Sequence, residues 1–277
     1  MKIYRLLLVF ILFFSTLSFS QVKIISWNIE NLGKSKSDES IAFMASTLKD
    51  YDVIALQEVV AGYGGAQAVA QLADELNRKG SKWDYAVSDP TSSSAYKTER
   101  YAFLWKTSSV KIIGRPWLEQ QYALQIDREP YYATFDYQGT EFTLANFHAI
   151  TQKLQPETEI KYFKFLPALY PTLNLLFVGD FNCPQAHSVF NPLKKMGYAS
   201  AFINQKTTLK KDCVAGECLA SEFDNIWYDS NKISLKNSKA LHFYTLFETL
   251  KEARKISDHI PVTTEIWFKS AIKTAPN

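Results

Sequence analysis

Leu176-Phe177-Val178-Gly179-Asp180-Phe181-Asn182 reads as a buried strand that runs straight into a carboxylate and a carboxamide. Three other apolar runs end the same way: Ile24-Ile25-Ser26-Trp27 leads into Asn28, Ile54-Ala55-Leu56-Gln57 into Glu58, and Leu144-Ala145-Asn146-Phe147 into His148. Asp224 stands just ahead of Ile226-Trp227, and Ser257-Asp258-His259 just ahead of a run that begins at Ile260. Taken singly, an Asp or Asn at a strand end is a turn former or a cap. Taken together they mean more, because strand ends converge at one edge of a layered fold and sites form at that edge. One Glu, three Asp, two Asn and two His make up the set. That inventory suits a hard divalent cation with oxygen ligands beside a pair of acid–base imidazoles.

The rest of the chain is consistent with α/β or α+β layering, since short runs rich in Val, Ile, Phe and Tyr alternate with segments of helical period. Ile41, Met44, Ala45 and Leu48 have helical spacing, as do Val69, Leu72, Ala73 and Leu76, with Gly80 placed for a left-handed cap. Strands are expected at 22–29, 53–56, 101–105, 110–113, 131–137, 141–147, 174–179, 224–228 and 260–268. Gln138-Gly139 forms a hairpin turn between two of them. Helices are expected over 157–169 and 186–196, each interrupted by a proline, Pro167 and Pro192. A frayed tail is expected from Lys269 onward.

The chain has 277 residues, 47% of them hydrophobic and 21% charged, with ten Gly and ten Pro in no period, which excludes disordered, collagen-like and repeat architectures. Lys2 and Arg5 precede an unbroken apolar run, Leu6 to Phe14, and Ser18 and Ser20 precede Gln21. This is the pattern of a secretory signal peptide over 1–20, leaving 21–277 as a single domain. The run falls short of the roughly 20 apolar residues that cross a bilayer. Without Lys2 and Arg5 the formal charge drops from +3 to +1, so binding to phosphates must come from a local patch and not from the whole field. An exported chain meets an oxidising compartment, and Cys213 and Cys218, which enclose Val-Ala-Gly-Glu, are expected to pair. Either of them could pair with Cys183 instead, and no Cys-x-x-Cys or paired His supports zinc.

Trp27-Asn28-Ile29, Leu56-Gln57-Glu58-Val59, Asn146-Phe147-His148, Gly179-Asp180-Phe181-Asn182 and Ser257-Asp258-His259-Ile260-Pro261-Val262, in that order, resemble the endonuclease/exonuclease/phosphatase superfamily. The resemblance spans almost all of the mature chain. Tyr85 to Pro90, Tyr96 to Leu104 and Arg128-Glu129-Pro130 resemble its deoxyribonuclease I branch in particular. The resemblance implies a four-layer sandwich, with two mostly antiparallel β-sheets packed face to face and helices outside, and metal-dependent hydrolysis of phosphodiesters. It implies that His148 and His259 form the acid–base pair, oriented by Glu99 and Asp224. Glu58 becomes the principal metal ligand, with Asn28, Asp180, Asn182 and Asp258 on metal or scissile phosphate. Arg128 contacts phosphate, and Tyr96 or Lys97 reaches the nucleic-acid groove. Where that branch carries a groove-entering arginine after Gln57-Glu58-Val59, this chain has Val60.

Charge logic supports the same roles. A phosphodiester repels a nucleophile, so a site must neutralise its oxygens, deprotonate water and protonate the departing oxygen. Lys97, Arg100 and Lys106 are expected to supply a local phosphate-binding patch. His187 and His242 are read as structural, the latter within a strand-like run, and Tyr101 and Trp105 as core. The expected protein is a secreted or periplasmic monomer, a DNA endonuclease of low sequence specificity that uses Mg²⁺ or Mn²⁺, with RNA as a second substrate and structural Ca²⁺ as a further ion. The alternative substrates are sphingomyelin and a sugar or inositol phosphate. An inactive binding module is disfavoured, because every matched position keeps a competent side chain.

Overall fold

A computed structural model describes residues 21–94 and 98–269. The leader, Tyr96, Lys97 and the tail from residue 270 lie outside the described residues.

Two six-stranded sheets form the centre. The first contains β1 (Val22–Leu32), β2 (Val53–Val60), β3 (Trp83–Val87), β4 (Glu99–Lys106), β13 (Ile233–Ala240) and β14 (Val262–Phe268), in the order β13-β14-β1-β2-β4-β3. The second contains β5 (Lys111–Leu118), β6 (Tyr131–Tyr137), β7 (Thr140–His148), β8 (Leu175–Asp180), β9 (Tyr198–Ser200) and β12 (Asp224–Asp229), in the order β5-β6-β7-β8-β12-β9. Each sheet has one parallel pair, β1–β2 in the first and β7–β8 in the second, and is otherwise antiparallel. A small hairpin, β10 (Leu209–Val214) with β11 (Glu217–Leu219), stands apart from both.

The side-chain period of two explains the layering. Ile24, Val53, Ala55, Phe103, Phe135, Leu144, Val178 and Ile226 face between the sheets and form the central core. Their neighbours Ile25, Trp27, Ile54 and Leu56 face outward, under α1 (Asp38–Leu48), α2 (Tyr63–Asn77) and α6 (Leu250–Ile256). Ala145, Phe147, Leu175, Phe177 and Trp227 face outward on the other side, under the short helices α3 (Glu157–Ile160), α4 (Leu166–Leu169) and α5 (Asn191–Lys195). The result is the expected four-layer sandwich. Thr249 and Glu252 close a reciprocal capping box on α6, while Ser37 caps α1.

Several elements depart from expectation. The helices foreseen over 157–169 and 186–196 are broken into single turns, with Pro167 and Pro192 each at the start of a short helix, where a missing N–H costs nothing. Strands β3, β9, β10, β11 and β13 were not foreseen. They are short or largely solvent-exposed, and each buries only one or two apolar residues, such as Trp83 in β3 and Ile233 in β13, too few to mark a strand. His242 does not lie in a strand: it precedes a single helical turn, Phe243–Leu246, with its Nδ1 3.2 Å from the Tyr244 hydroxyl. The last strand begins at Val262, two residues later than foreseen. The Gln138-Gly139 turn is present, with φ of 51° and 84°.

Candidate active site

The inward parity of the strands, carried to one end of the sandwich, delivers the site. Asn28 continues the inward series of Ile24 and Ser26, His148 that of Leu144 and Asn146, and Asp180 that of Leu176 and Val178. Glu99 and Asp224 start their strands on the same parity as Tyr101 and Ile226. Glu58 reaches the site differently: β2 breaks register with β1 and β4 around it, and Glu58 adopts φ +57°. This bulge re-aims a side chain that simple alternation would turn away from the site. Gly179 has φ +135°, and a Cβ there would lie 1.9 Å from the Phe147 carbonyl oxygen. Glycine is thus required for β8 to lie close enough to β7 for His148 and Asp180 to stand side by side.

Beneath the site, a polar layer joins the sheets. Gln57 Nε2 donates to Ser26 Oγ at 3.0 Å and to Asn146 Oδ1 at 2.6 Å, and Asn146 Nδ2 donates back across the interface to the carbonyls of Leu56 and Ala102.

Two histidine–carboxylate pairs flank Asp180. His148 Nδ1 lies 2.9 and 3.0 Å from the two oxygens of Glu99, and Arg128 Nη1 donates to Glu99 Oε2 at 3.0 Å. His259 Nδ1 lies 2.7 Å from Asp224 Oδ2, whose partner oxygen Oδ1 is buried without a hydrogen bond among the described residues. The free nitrogens converge, with His148 Nε2 3.4 Å and His259 Nε2 3.5 Å from the same Asp180 oxygen. Asn28 Nδ2 bridges that oxygen at 3.1 Å and Glu58 Oε1 at 3.0 Å.

The pairs differ electrically. Burial and the Arg128 charge drive His148 down to about 4, although Asp180 and Glu58 oppose them, so its imidazole is uncharged near neutrality. Burial raises Glu99 to about 7 against the pull of Arg128. Burial also acts to lower His259, but Asp224, Asp180 and Asp258 outweigh it and hold the pKa well above the ordinary histidine value. Asp180 is raised, chiefly by burial.

The expected residues therefore largely assemble. Asn28, Glu58, Glu99, Asp180, Asp224, His148 and His259 meet at one end of the sandwich. Asn182 sits beside them, its backbone N–H on Asp180 Oδ1 at 2.8 Å and its side chain donating to the Ala149 carbonyl at 3.0 Å. Asp258 lies on the His259 side, 3.9 Å from Nε2 and 3.6 Å from Arg254. Arg128 lines the cleft, but its guanidinium is committed to Glu99 and the Ala149 carbonyl. The expected basic patch is corrected: Arg100 spends its guanidinium on the carbonyls of Ala61 and Ser88, and Lys106 lies over the Trp83 ring at the opposite end of β4.

Other contributors were not foreseen as functional. Tyr101 OH accepts from the His148 N–H and donates to the Arg128 carbonyl, each at 3.1 Å. Ser257 Oγ donates to the Asn28 carbonyl at 2.6 Å and accepts from the His259 N–H at 2.9 Å. Thr207 Oγ1 accepts from the Asp224 N–H at 3.0 Å. Ser257 was visible as the residue preceding Asp258-His259; nothing local marks Thr207. The cleft above these groups has a volume of about 650 Å³, and Val60, Thr151, Leu154, Lys211 and Arg254 are among its walls. Cys213 and Cys218 form the expected disulfide and Cys183 is a buried free thiol.

A divalent cation fits the donor set. Arg128 balances Glu99, Arg254 balances Asp258, and one protonated His259 serves both Asp224 and Asp180, so with Glu58 the carboxylates outnumber the cations paired with them among the described residues. A phosphodiester adds a further negative charge to that excess. Glu58 supplies hard oxygen donors at the open side, the type that Mg²⁺ or Mn²⁺ prefers, whereas Asn28 is buried behind it with its Oδ1 accepting from the Glu30 N–H at 3.0 Å. Asp180, Asp224 and His259 also offer donor atoms within 4.8 Å of one another. A cation there would compete with the 2.7 Å His259–Asp224 hydrogen bond, so Glu58 is the better seat.

Residues 25–259 match the Endonuclease/Exonuclease/phosphatase family. The chain is 26% identical over 264 residues to a deoxyribonuclease of Thioalkalivibrio sp. (strain K90mix), covering 88% of this chain and 70% of that protein. It is 25% identical over 267 residues to deoxyribonuclease gamma of Homo sapiens, covering 87% and 84%. An endonuclease/exonuclease/phosphatase from Bacteroides vulgatus has the same fold, with a TM-score of 0.65 at 13% identity over 90% of this chain and 100% of that one. Motif order, two-sheet topology and relatives converge: the chain belongs to the endonuclease/exonuclease/phosphatase family, in its deoxyribonuclease I-like branch, and is an enzyme of the phosphodiesterase and nuclease kind.

Proposed function

We propose that the protein is an exported, Mg²⁺-dependent endonuclease that cuts DNA with little sequence preference. The observation that carries this reading is the convergence of the two imidazole Nε2 atoms, 3.4 and 3.5 Å from one Asp180 oxygen, each backed by its own carboxylate. Such an arrangement can hold a tetrahedral phosphorus between a base and an acid. Uncharged His148 accepts the proton of the attacking water, with Glu99 fixing its tautomer through Nδ1. Protonated His259 delivers a proton to the departing oxygen, and Asp224 stabilises its imidazolium. Asn28 and Asn182 orient the phosphate, and Asp180 positions both rings. Glu58, with Asn28 and Asp258 near it, would hold the cation, which when bound would supply charge neutralisation at the phosphate.

The open cleft and the deoxyribonuclease names of two relatives support DNA as the substrate. The leader pattern over 1–20 supports export, and a mature chain that begins at Gln21 by mass spectrometry is the expected product. Nicking of supercoiled plasmid tests the activity, with Mg²⁺, with chelator, and with His259→Ala. Metal-dependent nicking that the variant loses is expected. A folded, metal-supplied chain that leaves plasmid intact sinks DNA as substrate, and sphingomyelin and sugar or inositol phosphates are then assayed.

A further inference from the structure

The β10–β11 hairpin is rooted in the catalytic residues themselves. Leu209 N donates to the Asp258 carbonyl at 2.6 Å, Ile260 N donates to the Thr207 carbonyl at 2.8 Å, and Thr208 bridges His259. Thr207 Oγ1 receives the Asp224 N–H. Arg254 reinforces the root, donating to the carbonyls of Leu209 at 2.7 Å and Lys210 at 3.3 Å while facing Asp258. Farther out the hairpin is weakly laddered: its register is irregular between Leu209 and Val214, and the Cys213–Cys218 disulfide crosses it near the tip. A short arm with few ladder bonds thus has a fixed base and a covalent brace.

Strand alternation sorts the lysines of this arm. Leu209 and Lys211 line the cleft, whereas Lys210 does not. Lys211 is exposed and makes no hydrogen bond or ion pair among the described residues, while Lys206 shares its charge with Glu217 at 4.0 Å. The cleft floor is acidic, so an uncommitted ammonium at its mouth is matched not to the floor but to an anion that extends past it.

We infer that the arm is a substrate clamp, in which Lys211 contacts a backbone phosphate flanking the scissile one on the His259 side and the disulfide holds it there. This rests on the nucleic-acid reading above and assigns a polymer contact to it. Each neutralised phosphate steepens the dependence of log affinity on log salt by about 0.9 for duplex DNA.

The test compares wild type, Lys211→Gln, Lys210→Gln and the Cys213→Ser/Cys218→Ser double variant. The Michaelis constant for linear duplex DNA is measured across a salt series, alongside turnover of bis-para-nitrophenyl phosphate. Lys211→Gln is expected to flatten the salt slope by about 0.9 and to raise the Michaelis constant for DNA about five-fold near physiological salt. Lys210→Gln, on the opposite face of the same strand, keeps the wild-type slope. The serine double variant shifts the slope in the direction of Lys211→Gln. A Lys211→Gln slope equal to wild type overturns the clamp, as does an equal flattening in Lys210→Gln, which would reveal only a diffuse field. A wild-type chain that hydrolyses the small phosphodiester but neither cuts nor binds DNA overturns the nucleic-acid reading itself.

Discussion

The two sheets share one strand plan and differ in what they place at its ends. Parallel β1–β2 corresponds to parallel β7–β8, the antiparallel strand beside β2 is β4, and the one beside β8 is β12. At matching positions the first sheet carries Asn28, Glu58 and Glu99, and the second His148, Asp180 and Asp224. The histidine pairs run crosswise, since Glu99 of the first sheet backs His148 of the second, and Asp224 of the second backs His259, just ahead of β14 in the first. Neither sheet alone contains a complete pair. The same frame yields opposite chemistry because Arg128 shares the charge of Glu99, while among the described residues nothing cationic except His259 itself pairs with Asp224. One imidazole is thereby kept uncharged and the other charged, the separation an acid–base mechanism requires.

Removing either ring tests that division most severely. His148→Ala and His259→Ala are each expected to lower kcat by about 10²–10⁴ with the fold intact by circular dichroism. Turnover within a few-fold of wild type in either variant would show that the ring takes no part. Arg128 is the next lever, because it creates the asymmetry. Arg128→Met leaves Glu99 buried without its cation, and breaking such a pair costs about 3–5 kcal/mol in urea unfolding. The same change removes a charge that depresses His148, so the acid limb of kcat/KM moves to higher pH. A stability loss with no movement of that limb would reduce Arg128 to a structural strut.

Much of this site was legible because period-two alternation carries apolar strands directly into it. The runs ending at Asn28, His148 and Asp180 announce both a strand and the residue at its edge. Glu58 was named from its motif, but the bulge that turns it inward depends on pairing with β4, which local pattern does not reveal. The partners of Arg128 and Arg100 were hidden for a similar reason. One is engaged by a carboxylate and a carbonyl and the other by two carbonyls, all brought there by distant chain. Thr207, itself buried, and the exposed Lys211 lie in a mostly exposed segment with no periodicity, and the roles argued for them follow only from where the hairpin roots.

The polar layer under the site is the joint that lets the crosswise pairs form. Asn146→Ala strands Gln57 Nε2 with one partner fewer and frees two carbonyls, at a cost of about 1–3 kcal/mol. Denaturant unfolding measures that loss, and kcat is expected to fall with it as the sheets lose register at the catalytic edge. An Asn146→Ala chain of wild-type stability would show that the central apolar core alone aligns the two halves.

Stability against pH resolves the comparison at its finest. In the folded chain His148 is lowered to about 4 and Glu99 raised to about 7, whereas unfolded they titrate near 6.5 and 4.5. Between pH 4.5 and 6.5 the lowered histidine makes stability rise with pH and the raised carboxyl makes it fall, so the two slopes oppose and largely cancel. His259 has no such counterweight. Its folded pKa is above the unfolded value, so its contribution is complete below about pH 6.5 and is lost as pH climbs through the folded pKa. In metal-free buffer, unfolding free energy is therefore expected to be left nearly level by the His148–Glu99 pair in mild acid, where the raised Asp180 adds a decline. Above neutrality it should decline by up to about 1.4 kcal/mol per pH unit. His259→Gln removes the proton and flattens the alkaline slope; His148→Gln leaves that slope in place. An alkaline slope that survives His259→Gln unchanged would place the decisive proton elsewhere and dissolve the distinction between the two pairs.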